Sequence, residues 1–173
     1  MKKILLLIAF ALLLLLLNFS AQAIDPPYPE GPGLEFVCEL RVNCDPGYNV
    51  GQTARGVRNI IPIVGGTFSG PEMNGEIIGG GADYQLIDSK TGRTEVEAIY
   101  SIKTDDGVYI HIRNCGLITM GRSETGAPSF YFRTAPKFEA PQDSKYNWLN
   151  DAIFVCMPGP ATDCICLRVW KVL

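Results

Sequence analysis

Apolar and polar side chains alternate along several short segments, and this pattern constrains the fold of the chain more than any other feature. A period of two is typical of strands with one buried face. Glycine, proline and short turns such as Asp105-Asp106-Gly107 separate the segments, and no stretch of about 11 residues after residue 23 has helical periodicity. The predicted strands cover 34–42, 94–102, 108–113, 130–133, 152–156 and 164–172. The sequence therefore predicts an all-β barrel or sandwich, built from antiparallel strands.

The first 23 residues have the three parts of an export signal. Lys2 and Lys3 precede an apolar run over 4–17, and Ala21-Gln22-Ala23 is a small-x-small cleavage site. The run is shorter than the roughly 18 to 20 apolar residues that a spanning helix needs. We therefore predict a signal peptide at 1–23, secretion to the periplasm or the extracellular space, and no stable membrane insertion after cleavage.

The rest of the chain is predicted to form one domain. Residues 24–33 contain four prolines and predict an extended N-terminal arm, while 34–173 have a length that suits a single hydrophobic core. The formal net charge is −3, and basic residues alternate with acidic ones without clustering. A nucleic-acid partner is not expected, because no extended positive stripe is present.

All six cysteines follow the predicted cleavage site, in the part of the chain that would meet an oxidising compartment. An even number of cysteines there predicts a disulfide-stabilised domain. We favour a bond from Cys156 to Cys164 or Cys166, across a hairpin closed at 158–160. With one histidine and no Cys-x-x-Cys, the chain is not expected to hold a metal. The disulfide candidates are Cys38, Cys44, Cys115, Cys156, Cys164 and Cys166.

Two glycine groups, Gly65-Gly66 and 79–81, interrupt the alternation between the first predicted strands. Glycine allows a strand to bend or bulge where a barrel turns a corner. A ligand held close to the bare backbone is the alternative. Neither group is followed by the Lys and Ser or Thr of a phosphate loop, so no nucleotide or other cofactor is expected.

Several short motifs, taken in order, resemble the family known as domain of unknown function 3237. The resemblance covers about 34–172 and depends on the order and spacing of the motifs. They are Gly56-Val57-Arg58, Pro62, Gly65-Gly66, Gly70-Pro71, Gly75, Gly80-Gly81-Ala82-Asp83, Asp105-Asp106-Gly107, Asn114, 131–136, Tyr146 and Trp148-Leu149-Asn150.

This resemblance implies a small antiparallel β-barrel, lipocalin-like or allene-oxide-cyclase-like, and brings no catalytic residues with it. Tyr84 stands where the family pattern leads us to expect Trp. The cysteines and the export signal also depart from an often signal-free, cysteine-poor pattern.

Charged and polar residues near these motifs are the candidates for a site. Asp83 is a candidate base, with Arg58 polarising a carbonyl or enolate. The alternative is a structural role, in which Asp83 or Asp106 caps a turn and forms an ion pair with Arg58 or Arg133 that stabilises the barrel.

The remaining candidates lie in the second half of the chain. His111 lies on the same strand face as Tyr109 and Arg113. This face contacts either bulk solvent or a water-filled lumen, and in a lumen His111 could act as an acid or base. Trp148 and other aromatic residues fill the core or line a site, and Asn150 binds a ligand oxygen or closes a turn. The candidate catalytic residues are Asp83 and His111, and the candidate ligand-binding residues are Arg58, Asp83, Arg133, Trp148 and Asn150.

Three functions from different classes fit these features. The leading hypothesis is a secreted barrel that binds a small hydrophobic or aromatic molecule. The second is a cofactor-free isomerase or cyclase that uses the same cavity. The third is a structural or interaction protein with a filled barrel. The lining of the lumen distinguishes the three.

Overall fold

The structure is a computed structural model that describes residues 30–173. The predicted signal peptide at 1–23 and most of the arm at 24–33 lie outside the described residues. Residues 30–33 form no strand and are exposed. The strands are β1 (Leu34–Cys44), β2 (Tyr48–Thr53), β3 (Gly56–Ser69), β4 (Asn74–Ile87), β5 (Thr94–Thr104), β6 (Tyr109–Arg122), β7 (Pro128–Glu139), β8 (Phe154–Pro158) and β9 (Ile165–Val172), and a 3₁₀ helix covers Asn147–Asp151.

The strands form one antiparallel sheet that closes on itself. From β3 to β8 each strand pairs with the next one in sequence, β8 pairs with β9, and β9 pairs with β1. Strand β1 closes the ring by pairing with the second half of β3, while β2 pairs with its first half. Because β1 and β2 occupy one position beside β3, the ring has eight positions. The predicted all-β antiparallel barrel is confirmed.

The two glycine groups lie at irregularities in neighbouring strands. The register shifts between Ile63 and Thr67 on β3 and between Ile78 and Ala82 on β4. Gly66 has φ +135° and a Cβ there would collide with the carbonyl oxygen of Arg41, while Gly80 has φ +102°. L-residues rarely adopt such φ values, so glycine permits both bulges.

Part of the lumen is a packed hydrophobic core. Phe138 and Phe154 meet edge to face with ring centroids 4.9 Å apart, and Leu149 of the 3₁₀ helix is buried in the same cluster. Other fully buried members of this cluster are Leu40, Met73, Ile102, Ile110 and Ile112. No helix among residues 30–173 has the length and apolar character needed to cross a membrane.

The cysteines occupy different environments, and all six thiols are free in this structure. Cys156 faces the lumen and lies opposite Val169, whereas Cys166 lies three residues further along β9 and packs near Gly159 outside the core cluster. Three residues of a strand span roughly 10 Å, which exceeds the roughly 7 Å limit on the Cα separation in a disulfide. The bond that we favoured from Cys156 to Cys164 or Cys166 is therefore not supported by the fold.

Candidate functional site

The part of the lumen that the core does not fill contains a cavity of about 170 Å³. Seven strands of the ring contribute to its lining, which is mainly aliphatic and aromatic. Its apolar residues include Val42, Ile61, Ile63, Val96, Phe132 and Leu167. Cys44 and Ile165 also line the cavity and are exposed, so the cavity opens to solvent beside them.

Asp83 is the one carboxyl group in this lining. It lies on β4 directly after the glycine bulge, opposite Ala98 of β5. Its Oδ1 accepts the backbone N–H of Glu97 at 3.0 Å, and its Oδ2 accepts Nε2 of Gln85 at 2.8 Å. Burial raises the pKa of the Asp83 carboxyl, and the two hydrogen bonds oppose that rise only in part. Asp83 can therefore hold a proton more readily than an exposed carboxyl group.

Three other polar side chains of the lining each carry a buried oxygen atom without a hydrogen-bond partner. Tyr100, Asn114 and Thr134 are 4%, 2% and 6% exposed, and their atoms Oη, Oδ1 and Oγ1 are buried without a partner. The Thr134 hydroxyl lies beside the Cys156 thiol, on the strand paired with it, without reaching hydrogen-bond geometry. Buried polar atoms are almost always satisfied, so three in one cavity indicate a site that a ligand or water completes.

Two glycines make room for these side chains. A Cβ at Gly81 would come within 2.5 Å of Cβ of Tyr100, and a Cβ at Gly116 would collide with the side chain of Thr134. Glycine at both positions lets Tyr100 and Thr134 lie against the barrel wall. The resemblance motif containing Gly81 thus has a role in shaping the cavity.

The two arginines predicted to bind a ligand, Arg58 and Arg133, lie on the outer surface. Arg58 donates through Nη1 to the backbone oxygen of Tyr84 at 2.8 Å and is not part of the cavity lining. Arg133 is exposed, donates to the backbone oxygen of Phe132 at 2.7 Å and lies over the ring of Tyr131. Neither arginine forms an ion pair with Asp83 or with Asp106, whose ionic partner is Lys145, so the alternative of a stabilising pair between these charges is wrong.

His111 and its neighbours also face outward. On the outer face, Nδ1 of His111 lies 3.4 Å from Oγ of Ser101, and Arg113 forms an ion pair with Glu97. The row of Tyr109, His111 and Arg113 therefore meets solvent, and the lumen contains the opposite row with Ile110 and Ile112.

Asp106, Trp148 and Asn150 all lie outside the cavity lining. Asp106 accepts the Tyr146 hydroxyl at 2.8 Å. Trp148 packs against Phe154 at 6.1 Å between ring centroids. Asn150 binds both backbone groups of Ala140 at 2.9 Å, which closes the loop between β7 and the 3₁₀ helix.

Sequence reasoning singled out Asp83 but missed Tyr100, Asn114 and Thr134 as site residues. A usable signal was present, because Tyr100 lies in the apolar row from Thr94 to Ile102 and Asn114 continues the row of Ile110 and Ile112. A polar residue on the apolar face of a strand indicates a special environment. In residues 30–173, no three His, Cys, Asp or Glu side chains come together as a possible metal site.

The closed sheet and the cavity in its lumen define a class of protein, the small antiparallel β-barrels with a mainly apolar internal cavity. Comparison with known proteins identifies the family within that class. Residues 32–172 match the family described as protein of unknown function (DUF3237), and the chain belongs to this family.

Relatives from bacteria and a fungus agree with this assignment. A UPF0311 protein of Clostridium acetobutylicum is 33% identical over 148 residues, which cover 80% of this chain and 92% of the relative. The crystal structure of a conserved protein of unknown function from Rhodopseudomonas palustris aligns with a TM-score of 0.74 and 32% identity, covering 84% of this chain and all of that chain. A hydroalkoxylation enzyme of Penicillium herquei is 28% identical over 163 residues, or 94% of this chain and 98% of the enzyme.

Proposed function

We propose that this protein binds a small, mainly apolar molecule in the cavity of the barrel. The observation that carries the proposal is the combination of an apolar lining with three buried, unpartnered polar atoms on Tyr100, Asn114 and Thr134. Ligand sites in proteins commonly combine apolar walls with a few polar groups that orient the ligand. Because the lumen contains an open cavity, the hypothesis of a filled barrel that acts through its outer surface is less well supported.

The size of the cavity limits the ligand. An apolar protein cavity of about 150 Å³ accepts benzene, so a cavity of about 170 Å³ suits one ring with one or two further atoms. Larger molecules would project past Cys44 and Ile165 into solvent.

A variant that fills the cavity tests this proposal. Ala98 lines the cavity between Asp83 and Asn114, whereas Ala135 is exposed on β7. Wild type, Ala98→Leu and the matched control Ala135→Leu would be incubated with a small-molecule extract of the producing cells, and retained compounds identified by native and denaturing mass spectrometry. We expect retention by wild type and Ala135→Leu only. Equal retention by Ala98→Leu would contradict binding in the lumen.

A second candidate function, cofactor-free acid–base catalysis, is favoured by Asp83. Hydroalkoxylation, the activity in the name of the Penicillium herquei relative, adds an O–H group across a C=C bond. A protonated carboxyl group could give its proton to one alkene carbon while the substrate oxygen bonds to the other, and the hydroxyl proton would return to the carboxylate. The raised pKa of Asp83 in an apolar cavity suits that proton transfer.

Deuterium oxide distinguishes catalysis from binding alone. If an extract component is converted by proton addition, the product formed in deuterium oxide carries one deuterium on carbon. Asp83→Asn should abolish this conversion and retain binding. Compounds that are retained by wild type but recovered unchanged would support the binding function alone.

We also propose that the protein is exported and that oxidation joins Cys44 to Cys164. The last paired residues at this end of β1 and β9 are Val42 and Ile165, so Cys44 and Cys164 are offset by one residue on adjoining chains. A strand spacing of about 4.8 Å and a rise of about 3.3 Å place their Cα atoms roughly 6 Å apart. Cys44 faces the cavity, and Cys164 lies in the bend before β9, so the Cys164 side chain has to turn toward Cys44 for the bond to form.

Protein secreted by the producing cells tests both parts of this proposal. We expect a mature chain that starts at Ile24, with a mass lower by two hydrogen atoms than that of the reduced chain. These two hydrogen atoms reduce the disulfide of an oxidant to two thiols. A peptide linking Cys44 to Cys164 would confirm the pairing. A secreted chain with free Cys44 would contradict it.

A further inference from the structure

The unpartnered polar atoms of the cavity lie on three consecutive strands. Asn114 of β6 is opposite Ala98 of β5 and Pro136 of β7, so Tyr100 and Thr134 are each two residues from a direct partner of Asn114. Such diagonal neighbours have Cα atoms about 7 to 8 Å apart and are within reach of long side chains. Tyr100, Asn114 and Thr134 therefore form one polar stripe across an otherwise apolar wall.

The chemistry of the stripe requires a ligand group that both donates and accepts a hydrogen bond. Oδ1 of Asn114 only accepts, so the ligand must supply a donor. The hydroxyl groups of Tyr100 and Thr134 can each donate, which requires an acceptor on the ligand. Burial raises the pKa of the Tyr100 phenol, so this group remains a neutral donor. A hydroxyl group meets both requirements with a single oxygen atom.

Charged ligands fit the cavity less well. The lining contains no Lys, Arg or His, so a carboxylate or phosphate would be buried without a cation and beside Asp83. The carboxylate of Asp83 already accepts two hydrogen bonds from the protein, and its burial favours the neutral form. An ammonium group would have to compete with those two bonds.

We propose that the cavity is specific for neutral, hydroxyl-bearing compounds of about single-ring size, with the hydroxyl donating to Oδ1 of Asn114 and accepting from Tyr100 or Thr134. Phenols and small cyclic alcohols represent this class. This inference rests on the proposed binding function and adds the chemical class of the ligand.

Phenol and toluene provide a matched pair of probes, because they have the same shape and differ by a hydroxyl in place of a methyl group. Their dissociation constants for the full mature chain would be measured by ligand-observed NMR, with benzoate and benzylamine as charged probes of similar size. Transfer from water to an apolar environment is more favourable for toluene than for phenol, so a cavity without polar groups would bind toluene more tightly. We expect wild type to bind phenol more tightly than toluene, benzoate and benzylamine.

Substitutions in the stripe should reverse this preference. Asn114→Leu removes the acceptor at similar volume, and Tyr100→Phe removes one donor. We expect each variant to shift the phenol-to-toluene affinity ratio by about tenfold or more in favour of toluene. Tyr109→Phe, on the exposed face of β6, is the matched control and should leave the ratio unchanged.

The outcomes separate this inference from the function on which it rests. Tighter binding of toluene by wild type, or an unchanged ratio in both stripe variants, would overturn the hydroxyl specificity and leave cavity binding intact. Tighter binding of benzoate or benzylamine would overturn it as well. Binding of none of the four probes would contradict both proposals. The comparison of probes on wild type remains decisive if a variant fails to fold.

Discussion

Asp83 on β4 accepts the backbone N–H of Glu97 on β5 through Oδ1, at 3.0 Å, and so replaces a backbone acceptor in the β4–β5 ladder. The same carboxyl group lines the cavity. One residue therefore supports the barrel wall and supplies the only ionisable carboxyl group within the described lining. The cost of placing that charge in an apolar site should be visible in the stability of the protein.

The pH dependence of unfolding should change when Asp83 becomes Asn. The pKa of Asp83 is raised in the folded state, so the folded state binds this proton more tightly than the unfolded state does. Asp83 therefore lowers stability as pH rises from its unfolded pKa, about 3.9, through the folded value. We expect Asp83→Asn to gain stability relative to wild type between pH 4 and pH 8, as measured by urea unfolding.

Asp88→Asn provides a control, because its effect on stability should have the opposite sign. Hydrogen bonds from the backbone N–H groups of Lys90 and Thr91 lower the pKa of its exposed carboxyl group. Its stabilising contribution is present above the unfolded pKa and is lost as pH falls through the folded value. Asp88→Asn should therefore be less stable than wild type by a nearly constant amount between pH 4 and pH 8, and this difference should shrink as pH falls below 4. Parallel profiles for the two variants would contradict our assignment of Asp83 as the desolvated carboxyl group.

The reactivity of the cysteines should follow their burial. Burial raises the pKa of Cys38 and of Cys156 to about 12, so both remain protonated thiols at pH 8. Partial burial raises the pKa of Cys44 as well, but its thiol is accessible. In reduced protein treated with iodoacetamide we therefore expect slow modification of Cys44 and none of Cys38 or Cys156, as read by peptide mass spectrometry. In urea all six should react. Modification of Cys156 together with Cys44 in the folded protein would indicate that the lumen opens more widely than this structure shows.

Gly116 should resist substitution because of the space that it leaves for Thr134. A Cβ at this position would collide with the Arg133 carbonyl oxygen and the Thr134 side chain. We expect Gly116→Ala to destabilise the protein by about 1 to 3 kcal/mol, the usual cost of overpacking. Gly121→Ala on the same strand is the matched control, because its Cβ would meet only Oγ of Ser129, at 3.3 Å. Equal thermal unfolding temperatures of the two variants would contradict the proposed crowding.

The sequence was most informative where strands are regular. The row from Thr94 to Ile102 faces the lumen as the alternation predicts, since β5 pairs with β6 without a register shift. The long strands β3 and β4 were not predicted, because the bulges at Gly65-Gly66 and at 79–81 break the period of two. Alternation assigns residues to two faces but does not say which face is inside.

The same ambiguity affected the candidate site. The bulge in β4 changes which of the following residues point into the lumen, and this change places Asp83 in the cavity. Arg58 lies on the outer face of β3. Asn114 and Thr134 come together only through the β6–β7 register and the closure of the ring. Such long-range geometry has no local signal in a single sequence.

Asn150 should contribute to stability without affecting the cavity. Its Oδ1 accepts the N–H of Ala140 and its Nδ2 donates to the Ala140 carbonyl oxygen and to Oδ1 of Asn147, all at 2.9 Å. Ala cannot make these bonds, and water replaces them in part because the site is exposed. We expect Asn150→Ala to lose about 1 kcal/mol of unfolding free energy in urea and to keep the phenol affinity of wild type. Asn150→Asp retains the acceptor but not the two donor bonds, so its loss should be of similar size. A weaker affinity for phenol in a folded Asn150→Ala variant would show instead that this loop contributes to the ligand site.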